Sequence, residues 1–295
     1  MNEKVTIFTL PKPFVDPHIA VIQRNAIQSW ITSCPTAEIV LIGNEDGIKE
    51  TAEMFGVIHC PDVKTDSYGT PLMDSLFQQA FENSSGDVLC YINADIILMK
   101  SFDPILEMLS FNKYLLIGER MDIYLHDPID FTKANWAILL NQQVAQHGER
   151  HTCDGIDYFV FPREGVYKKI LPFGIGRGFS DHWLIYEARR RGAAVIDLSD
   201  YITAIHQNHG RQHSSGKEIH GYEDFPEYHT NRSLMSFKGW GQLCDLRDAQ
   251  WAFCDGVLCK SSPRSRIKRA LADLWRIYPK MYTLLCKLAG KNTAT

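Results

Sequence analysis

The stretch that decides the fold is residues 89–99, LCYINADIILM, in which an asparagine and an aspartate interrupt an otherwise apolar run. Burying an unpaired carboxylate among such neighbours is costly. Asp95 is better explained if it follows the end of a strand, predicted at 87–93, and faces a cleft that holds a partner for its charge.

Outward from this run, strand and helix patterns alternate. Further strands are predicted at 4–10, 38–42, 57–59, 157–161, 193–198 and 202–205. Helices are predicted after the Asp16-Pro17 cap, at 46–55, after Thr70-Pro71 and at 181–191. Such alternation is typical of an α/β fold with a mostly parallel sheet, whose ligands bind at the carboxyl ends of the strands. Asn44 and Asp95 are both expected at that edge.

The composition is that of an ordinary globular protein, with 295 residues, 45% of them hydrophobic and 22% charged. We expect a domain at 1–255 and a tail at 256–295. No apolar run reaches about 18 residues, and the N-terminus lacks the features of a signal peptide, so a cytoplasmic location is expected. The eight cysteines are scattered, which favours reduced thiols over disulfides or a zinc site.

The charge is unevenly distributed along the chain. From Lys260 onward there are nine Lys or Arg and one acid, whereas the rest carries 22 basic and 34 acidic residues. The acidic body disfavours a nucleic-acid partner. Residues 263–289 have apolar side chains at helical spacing with basic flanks, a pattern typical of an amphipathic helix on an anionic membrane. The alternative is a terminal helix that docks on the protein's own acidic body.

Two nucleotide-binding motifs are absent. Gly-x-x-x-x-Gly-Lys-Ser/Thr occurs nowhere, and the segment after the first strand, PKPF at 11–14, has no glycine. The glycines in FGIGRGFSDHW, residues 173–183, come late and follow no clear strand, so a mobile loop is favoured over a dinucleotide site. Residues 206–232 are rich in His, Gly and Ser and are predicted to be irregular and partly mobile.

Four segments occur in a characteristic order: YINADIILM, GIDYFVFPR, GFSDHWLIYEARRRG and TAIHQNH. Together they resemble the bacterial nucleotide-sugar glycosyltransferases of the GT-A fold, within or near the large family-2 group, over residues 4–255. The resemblance implies a three-layer sandwich with a mostly parallel central sheet and a C-terminal helical extension. It also implies transfer of a sugar from a UDP- or GDP-sugar to a hydroxyl of a glycan or lipid-linked acceptor, on the inner face of the cell membrane for a lipid acceptor.

The same resemblance assigns Asp95 to a divalent cation, Mn²⁺ or Mg²⁺, that offsets the charge of the departing diphosphate. In the family's Asp-x-Asp pair the first acid is replaced here by Asn93, which brings no charge, so the metal is expected to bind more weakly or to be optional. The alternative is a polar strand end that caps a turn. His206 is the candidate third ligand and His209 its competitor; either one alone reads as an ordinary histidine.

Asp181 is the candidate general base, because in the family an acid at a helix start after a flexible loop takes the proton of the acceptor hydroxyl. The reaction would then invert the anomeric centre in one displacement. The alternative is a helix N-cap. Asp154 and Asp157 are candidates for holding sugar hydroxyls, with a strand-edge turn as the equal alternative.

The nucleobase and ribose of the donor are expected at the ends of the first two strands. The residues assigned to donor binding are Thr9, Leu10, Pro11, Asn44, Glu45, Tyr68, Asn93 and Asp157. Among them Tyr68 lies before a predicted helix N-terminus, which favours diphosphate binding. One rival function is a sugar-phosphate nucleotidyltransferase, which needs a glycine-rich loop after the first strand. The other is a non-catalytic nucleotide-sugar or glycan binding protein, which Asn93 keeps open.

Overall fold

A computed structural model describes residues 3–209, 222–235 and 243–261. The predicted amphipathic helix at 263–289 lies outside these ranges. In the described part, no helix is both long enough and apolar enough to cross a membrane.

A nine-stranded sheet forms the centre of the molecule, in the order β13-β12-β10-β6-β9-β4-β1-β2-β3. Its strands are β1 Val5–Thr9, β2 Glu38–Ile42, β3 Ile58–Cys60, β4 Val88–Ile92, β6 Tyr114–Ile117, β9 Tyr158–Pro162, β10 Ala194–Asp197, β12 Trp251–Cys254 and β13 Val257–Lys260. β9 runs antiparallel to both of its neighbours and β13 antiparallel to β12, while the other pairs are parallel. The prediction of a mostly parallel sheet is confirmed, and the sheet continues past residue 255.

Helices cover both faces of this sheet. They are α1 Pro17–Ser33, α2 Ile48–Phe55, α3 Met73–Glu82, α4 Asp103–Leu106, α5 Trp136–His147, α6 Ser180–Arg190 and α7 Pro226–Leu234. Along β2, Ile39 and Leu41 pack with α1 and α2, whereas Val40 and Ile42 pack with α3 and α6. Successive side chains of a strand point to opposite faces, and here both faces are apolar because both are covered. The three layers of the predicted sandwich follow from this pattern.

A smaller sheet lies beside the carboxyl edge of the large one, in the order β5-β11-β7-β8. It consists of β5 Ile96–Ile97, β7 Arg120–Ile123, β8 Glu149–Arg150 and β11 Ala204–Gln207. β5 continues from β4 after two loop residues and one acid, and β7 follows β6 in the same way at the neighbouring edge position. The small sheet therefore presents its side chains where ligands of a parallel sheet gather.

Helix boundaries agree with the sequence at α1 and differ at α3. Asp16 caps α1, since its Oδ1 accepts the backbone N–H groups of the second and third residues after it, at 2.8 and 3.0 Å. α3 begins at Met73, not at Thr70, because Asp66 Oδ1 accepts the N–H groups of Tyr68 and Thr70 and closes a turn there. The prediction that Tyr68 lies at a helix N-terminus is therefore wrong. α7 likewise lies in a segment predicted to be irregular.

Trp30 joins α1 to the strand that follows Asp95. Its ring is fully buried, with 0% exposure, and its Nε1 donates to the carbonyl oxygen of Ile96 at 2.8 Å. We expect Trp30→Ala to lower the free energy of unfolding by about 3–5 kcal/mol in a urea titration, because it leaves a large cavity. Trp30→Phe keeps most of the volume and should cost about 1–3 kcal/mol, since the Ile96 carbonyl loses its donor. Equal losses for the two variants would contradict this account.

Candidate active site

Asp95 lies at the carboxyl edge of β4, between the two sheets, and two histidines face it. His209 Nε2 is 3.0 Å and His206 Nε2 3.6 Å from Asp95 Oδ2. One ligand atom from each of the three residues can be chosen so that all lie within 4.8 Å of one another. The sequence offers the two histidines as alternatives, and the structure brings both to the same carboxylate.

Hydrogen bonds from the two histidines set the charge state of Asp95. Burial on its own would raise the pKa of this carboxyl, but the hydrogen bonds and charges of His206 and His209 hold it well below its usual range. His206 responds in the opposite direction: burial lowers its pKa, the bond to Asp95 outweighs this, and the net pKa is raised. Asp95 is thus a carboxylate at all ordinary pH values.

The donor set fits a divalent cation. Asp95 Oδ1 is buried and has no hydrogen-bond partner among the described residues, so one carboxylate oxygen remains available next to two imidazole nitrogens. Leaving such an oxygen unpaired is costly without a ligand. One carboxylate with two imidazoles suits Mn²⁺ better than Mg²⁺, which prefers oxygen ligands only.

Asn93, the residue that replaces the first acid of the motif, is held by Asp157. Its Nδ2 donates to Asp157 Oδ1 at 2.6 Å, and its backbone N–H donates to the Asp157 carbonyl at 3.0 Å. Arg120 Nη1 contacts the other carboxylate oxygen of Asp157 at 2.7 Å. Asp157 is only 5% exposed, so its charge is compensated mainly by Arg120. These contacts place Asn93 and Asp157 together at the sheet edge where both are predicted.

Asp181 is the second residue of α6 and is partly buried. Burial, and next the negative charge of Asp157, raise its pKa to about 6. The N-cap position is Phe179, and the cap carries no side-chain hydrogen bond. The alternative interpretation of Asp181 as the N-cap of this helix is therefore wrong. An aspartate titrating near pH 6 is suited to proton transfer near neutrality.

The glycine-containing loop before Asp181 is tied down by α7, although the sequence indicates mobility. Asn231 is fully buried; its Oδ1 accepts from the backbone N–H of Gly174, and its Nδ2 donates to the carbonyls of Gly174 and Gly178, at 2.8–2.9 Å. Phe179 has φ of 71°, a conformation that side chains other than glycine rarely adopt, and its ring packs on Tyr228 at 4.8 Å. The base candidate thus follows a fixed and locally strained segment.

The remaining residues predicted to bind the donor do not join this cluster through any contact among the described residues. Thr9 is 0% exposed, so only its backbone remains for contacts beyond the core, and that backbone pairs with β2. Asn44 and Glu45 are exposed after β2, at the carboxyl edge as expected. Tyr68 is 59% exposed. Leu10 and Pro11, which follow β1 at the same edge, are intermediate and buried, respectively.

Sequence reasoning missed several charged residues of the site. Arg120 Nε and His206 Nδ1 contact the same oxygen of Asp122, Oδ1, at 2.8 and 2.9 Å, and His151 Nδ1 lies 2.7 Å from Oδ2. The spacing of Arg120 and Asp122 was an available signal, since residues two apart on a strand face the same side. Lys12 Nζ lies 3.4 Å from His209 Nε2, and no pattern in the sequence singles it out.

Comparisons with known proteins show the fold. No protein-family model and no curated protein sequence matches the chain. Residues 1–349 of S. aureus TarS, solved in complex with UDP-GlcNAc, match with a TM-score of 0.53 and 10% identity, over 95% of this chain and 75% of that chain. Glucosyl-3-phosphoglycerate synthase from Mycobacterium tuberculosis, in complex with Mn²⁺, UDP and phosphoglyceric acid, has a TM-score of 0.40 and 16% identity over 70% and 72% of the two chains. The chain has a mixed α/β fold of the GT-A type.

Proposed function

We propose that the protein is a glycosyltransferase that moves a sugar from a nucleoside-diphosphate donor to a hydroxyl group of a glycan or glycolipid acceptor. The observation that carries this proposal is the cluster of Asp95, His206 and His209 at the carboxyl edge of a GT-A type sheet. Asp181 lies within electrostatic reach of Asp157 at the same edge, and Asp157 is bonded to Asn93. A cation site and a carboxyl group with a raised pKa therefore share one cleft, as transfer from a diphosphate requires.

Asp95, His206 and His209 are the residues that would hold Mn²⁺ or Mg²⁺. A bound divalent cation offsets the negative charge that a nucleoside diphosphate gains as it leaves. Asn93 contributes no charge here, and its amide nitrogen is engaged by Asp157, so the negative charge of this site comes from Asp95. This concentration of function in one carboxylate distinguishes the site from one with two aspartates.

We assign to Asp181 the removal of the proton from the acceptor hydroxyl. The attacking oxygen would approach the anomeric carbon from the side opposite the diphosphate, in one displacement that inverts the configuration. Asp157 assists indirectly, because its negative charge raises the pKa of Asp181 towards neutrality. Arg120 limits that rise, since it neutralises part of the charge of Asp157.

A non-catalytic nucleotide-sugar binding protein is the second candidate, and Asn93 is the observation that favours it. A sugar-phosphate nucleotidyltransferase lacks support, because residues 11–14 contain no glycine-rich loop. A glycolipid acceptor and a peripheral contact with an anionic membrane are supported by the basic sequence of residues 263–289 alone.

Isothermal titration calorimetry with UDP-GlcNAc, UDP-glucose and GDP-mannose tests the proposal. UDP-GlcNAc comes first because the TarS structure with the same fold holds it. We expect one donor to bind about 5–150-fold more tightly with Mn²⁺ than with EDTA, since cation and diphosphate bind cooperatively. Slow hydrolysis of that donor should accompany binding. Binding without hydrolysis or transfer would favour the non-catalytic protein, and failure to bind any nucleotide-sugar would refute both.

A further inference from the structure

His206 has different partners on the two sides of its ring. Its Nε2 faces Asp95 at 3.6 Å. Its Nδ1 faces two oxygen atoms, Asp122 Oδ1 at 2.9 Å and Asn208 Oδ1 at 3.2 Å. A carboxylate can only accept, so the ring nitrogen beside it must carry the proton. A neutral His206 therefore keeps its proton on Nδ1 and has a free electron pair on Nε2, towards the cation site.

The backbone fixes this relation between His206 and Asp122. β11 lies between β5 and β7, and His206 is opposite Ile96 on one side and opposite Asp122 on the other. Residues paired in neighbouring strands point to the same face of the sheet, so the register itself brings the carboxylate to the imidazole. Shifting either strand by one residue would turn one of the two side chains to the opposite face.

Asp122 is itself held in place on its far side. Arg120 Nε lies 2.8 Å from Oδ1 and His151 Nδ1 lies 2.7 Å from Oδ2. Although burial would raise the pKa of Asp122, these partners lower it, and the residue is a carboxylate. Its side chain is 17% exposed, so the contact with His206 is poorly screened by solvent.

We propose that Asp122 is a positioning residue that orients His206 and fixes its tautomer, so that Nε2 is presented to a divalent cation shared with Asp95 and His209. This inference rests on the cation site of the proposed function. A carboxylate behind a metal-binding histidine holds the ring orientation and raises its basicity, and its loss weakens metal binding by about 10–100-fold. Asp122 would act through His206, without touching the donor.

A purely structural role is the competing explanation, because Asp122 also pairs with Arg120 and His151. That role would lower stability on mutation and leave metal affinity unchanged. The two explanations also differ in the native protein: only the positioning role requires the proton of His206 to be on Nδ1.

Mn²⁺ titration of the full-length protein, followed by calorimetry and by the electron paramagnetic resonance signal of free Mn²⁺, separates the two. We expect Asp122→Ala to bind Mn²⁺ about 10–100-fold more weakly than wild type. Asp122→Asn keeps an acceptor oxygen without the charge and should fall between them. Asp197→Ala is the matched control: it removes an acid at the end of β10 that pairs with Ser199 and should leave Mn²⁺ affinity within about threefold.

Nitrogen-15 NMR of the imidazoles of the metal-free wild type, at about pH 8, reads the tautomer without any mutation. A protonated Nδ1 on His206 supports the proposal, and a protonated Nε2 overturns it. Mn²⁺ affinity of Asp122→Ala within about threefold of wild type also overturns it. If the wild-type protein itself fails to bind Mn²⁺, the cation site of the proposed function is refuted together with the role of Asp122, an outcome distinct from wild-type binding that is insensitive to Asp122.

Discussion

Replacing Asp181 with Asn is expected to slow sugar transfer by about 10²–10⁴-fold, the usual contribution of a general base. The amide has nearly the same shape but cannot take the proton of the acceptor hydroxyl. Donor affinity should change by less than about threefold, because Asp181 is not among the cation ligands. Steady-state kinetics with the donor identified by calorimetry would measure kcat and KM separately.

The pH dependence of the wild-type enzyme should identify the same group. Asp181 is active as a base only when ionised, and its pKa is raised to about 6 by burial and by Asp157. The rate should therefore fall about tenfold for each pH unit below that value and level off above it. Asp181→Asn should show a low rate without this transition. A wild-type rate that is flat between about pH 5 and pH 7 would contradict the assignment.

Stability provides a test of Asp181 that needs no substrate. The pKa of this carboxyl is higher in the folded protein than the ordinary value of 3.8, so the folded state binds the proton more tightly than the unfolded chain. Stability consequently declines as pH rises from about 4 to about 6, and the penalty is complete above that range. Asp181→Asn removes the penalty and should raise the melting temperature at about pH 7.5, with a difference that shrinks towards about pH 4.

Asp74→Asn is a matched control for these measurements. Asp74 is the second residue of α3, as Asp181 is the second residue of α6, so both interact with the start of a helix. The control should lose a little stability and no activity. If Asp181→Asn resembles it, with near-normal turnover and reduced stability, Asp181 is a helix-end residue and not a base.

The position of Asp95 was predictable because the signals that fix it are local. The apolar run of β4, its end at Ile92 and the alternation of strands with helices all lie within one short stretch. Parallel strands end at a common edge, so the carboxyl ends of β1, β2 and β4 could be grouped without knowledge of any contact. The same reasoning explains why Asn44 and Asn93 were placed at the correct edge.

The surroundings of Asp95 depend on pairings between distant segments, which one sequence does not reveal. Asp122 meets His206 only because β7 and β11 are adjacent, although 84 residues separate the two along the chain. The choice between His206 and His209 failed for a related reason: after β11, the N–H of Asn208 bonds to β7, so both histidines reach Asp95. The early start predicted for α3 overlooked the turn that Asp66 closes.

Replacing Asp95 with Asn should have the largest effect on the protein. The variant removes the negative charge of the cation site, leaving an amide beside two histidines and the ammonium group of Lys12. We expect Mn²⁺ affinity to fall by at least about 100-fold, more than for loss of a group behind a ligand. Turnover should fall by about 10³-fold or more, because the charge of the leaving diphosphate is no longer offset. Mn²⁺ calorimetry and the transfer assay measure the two effects.

Asp46→Asn is the control, since Asp46 is an exposed acid in the loop after β2 and should be neutral in both assays. The two site acids should also affect stability in opposite directions. Hydrogen bonds from His206 and His209 lower the pKa of Asp95, so its charge stabilises the folded protein above an unfolded pKa of about 4 and this contribution is lost as pH falls. Asp95→Asn should therefore lower the melting temperature of the metal-free protein at neutral pH, where Asp181→Asn raises it. Mn²⁺ binding that survives the loss of Asp95 would place the cation elsewhere and remove the basis of the proposed function.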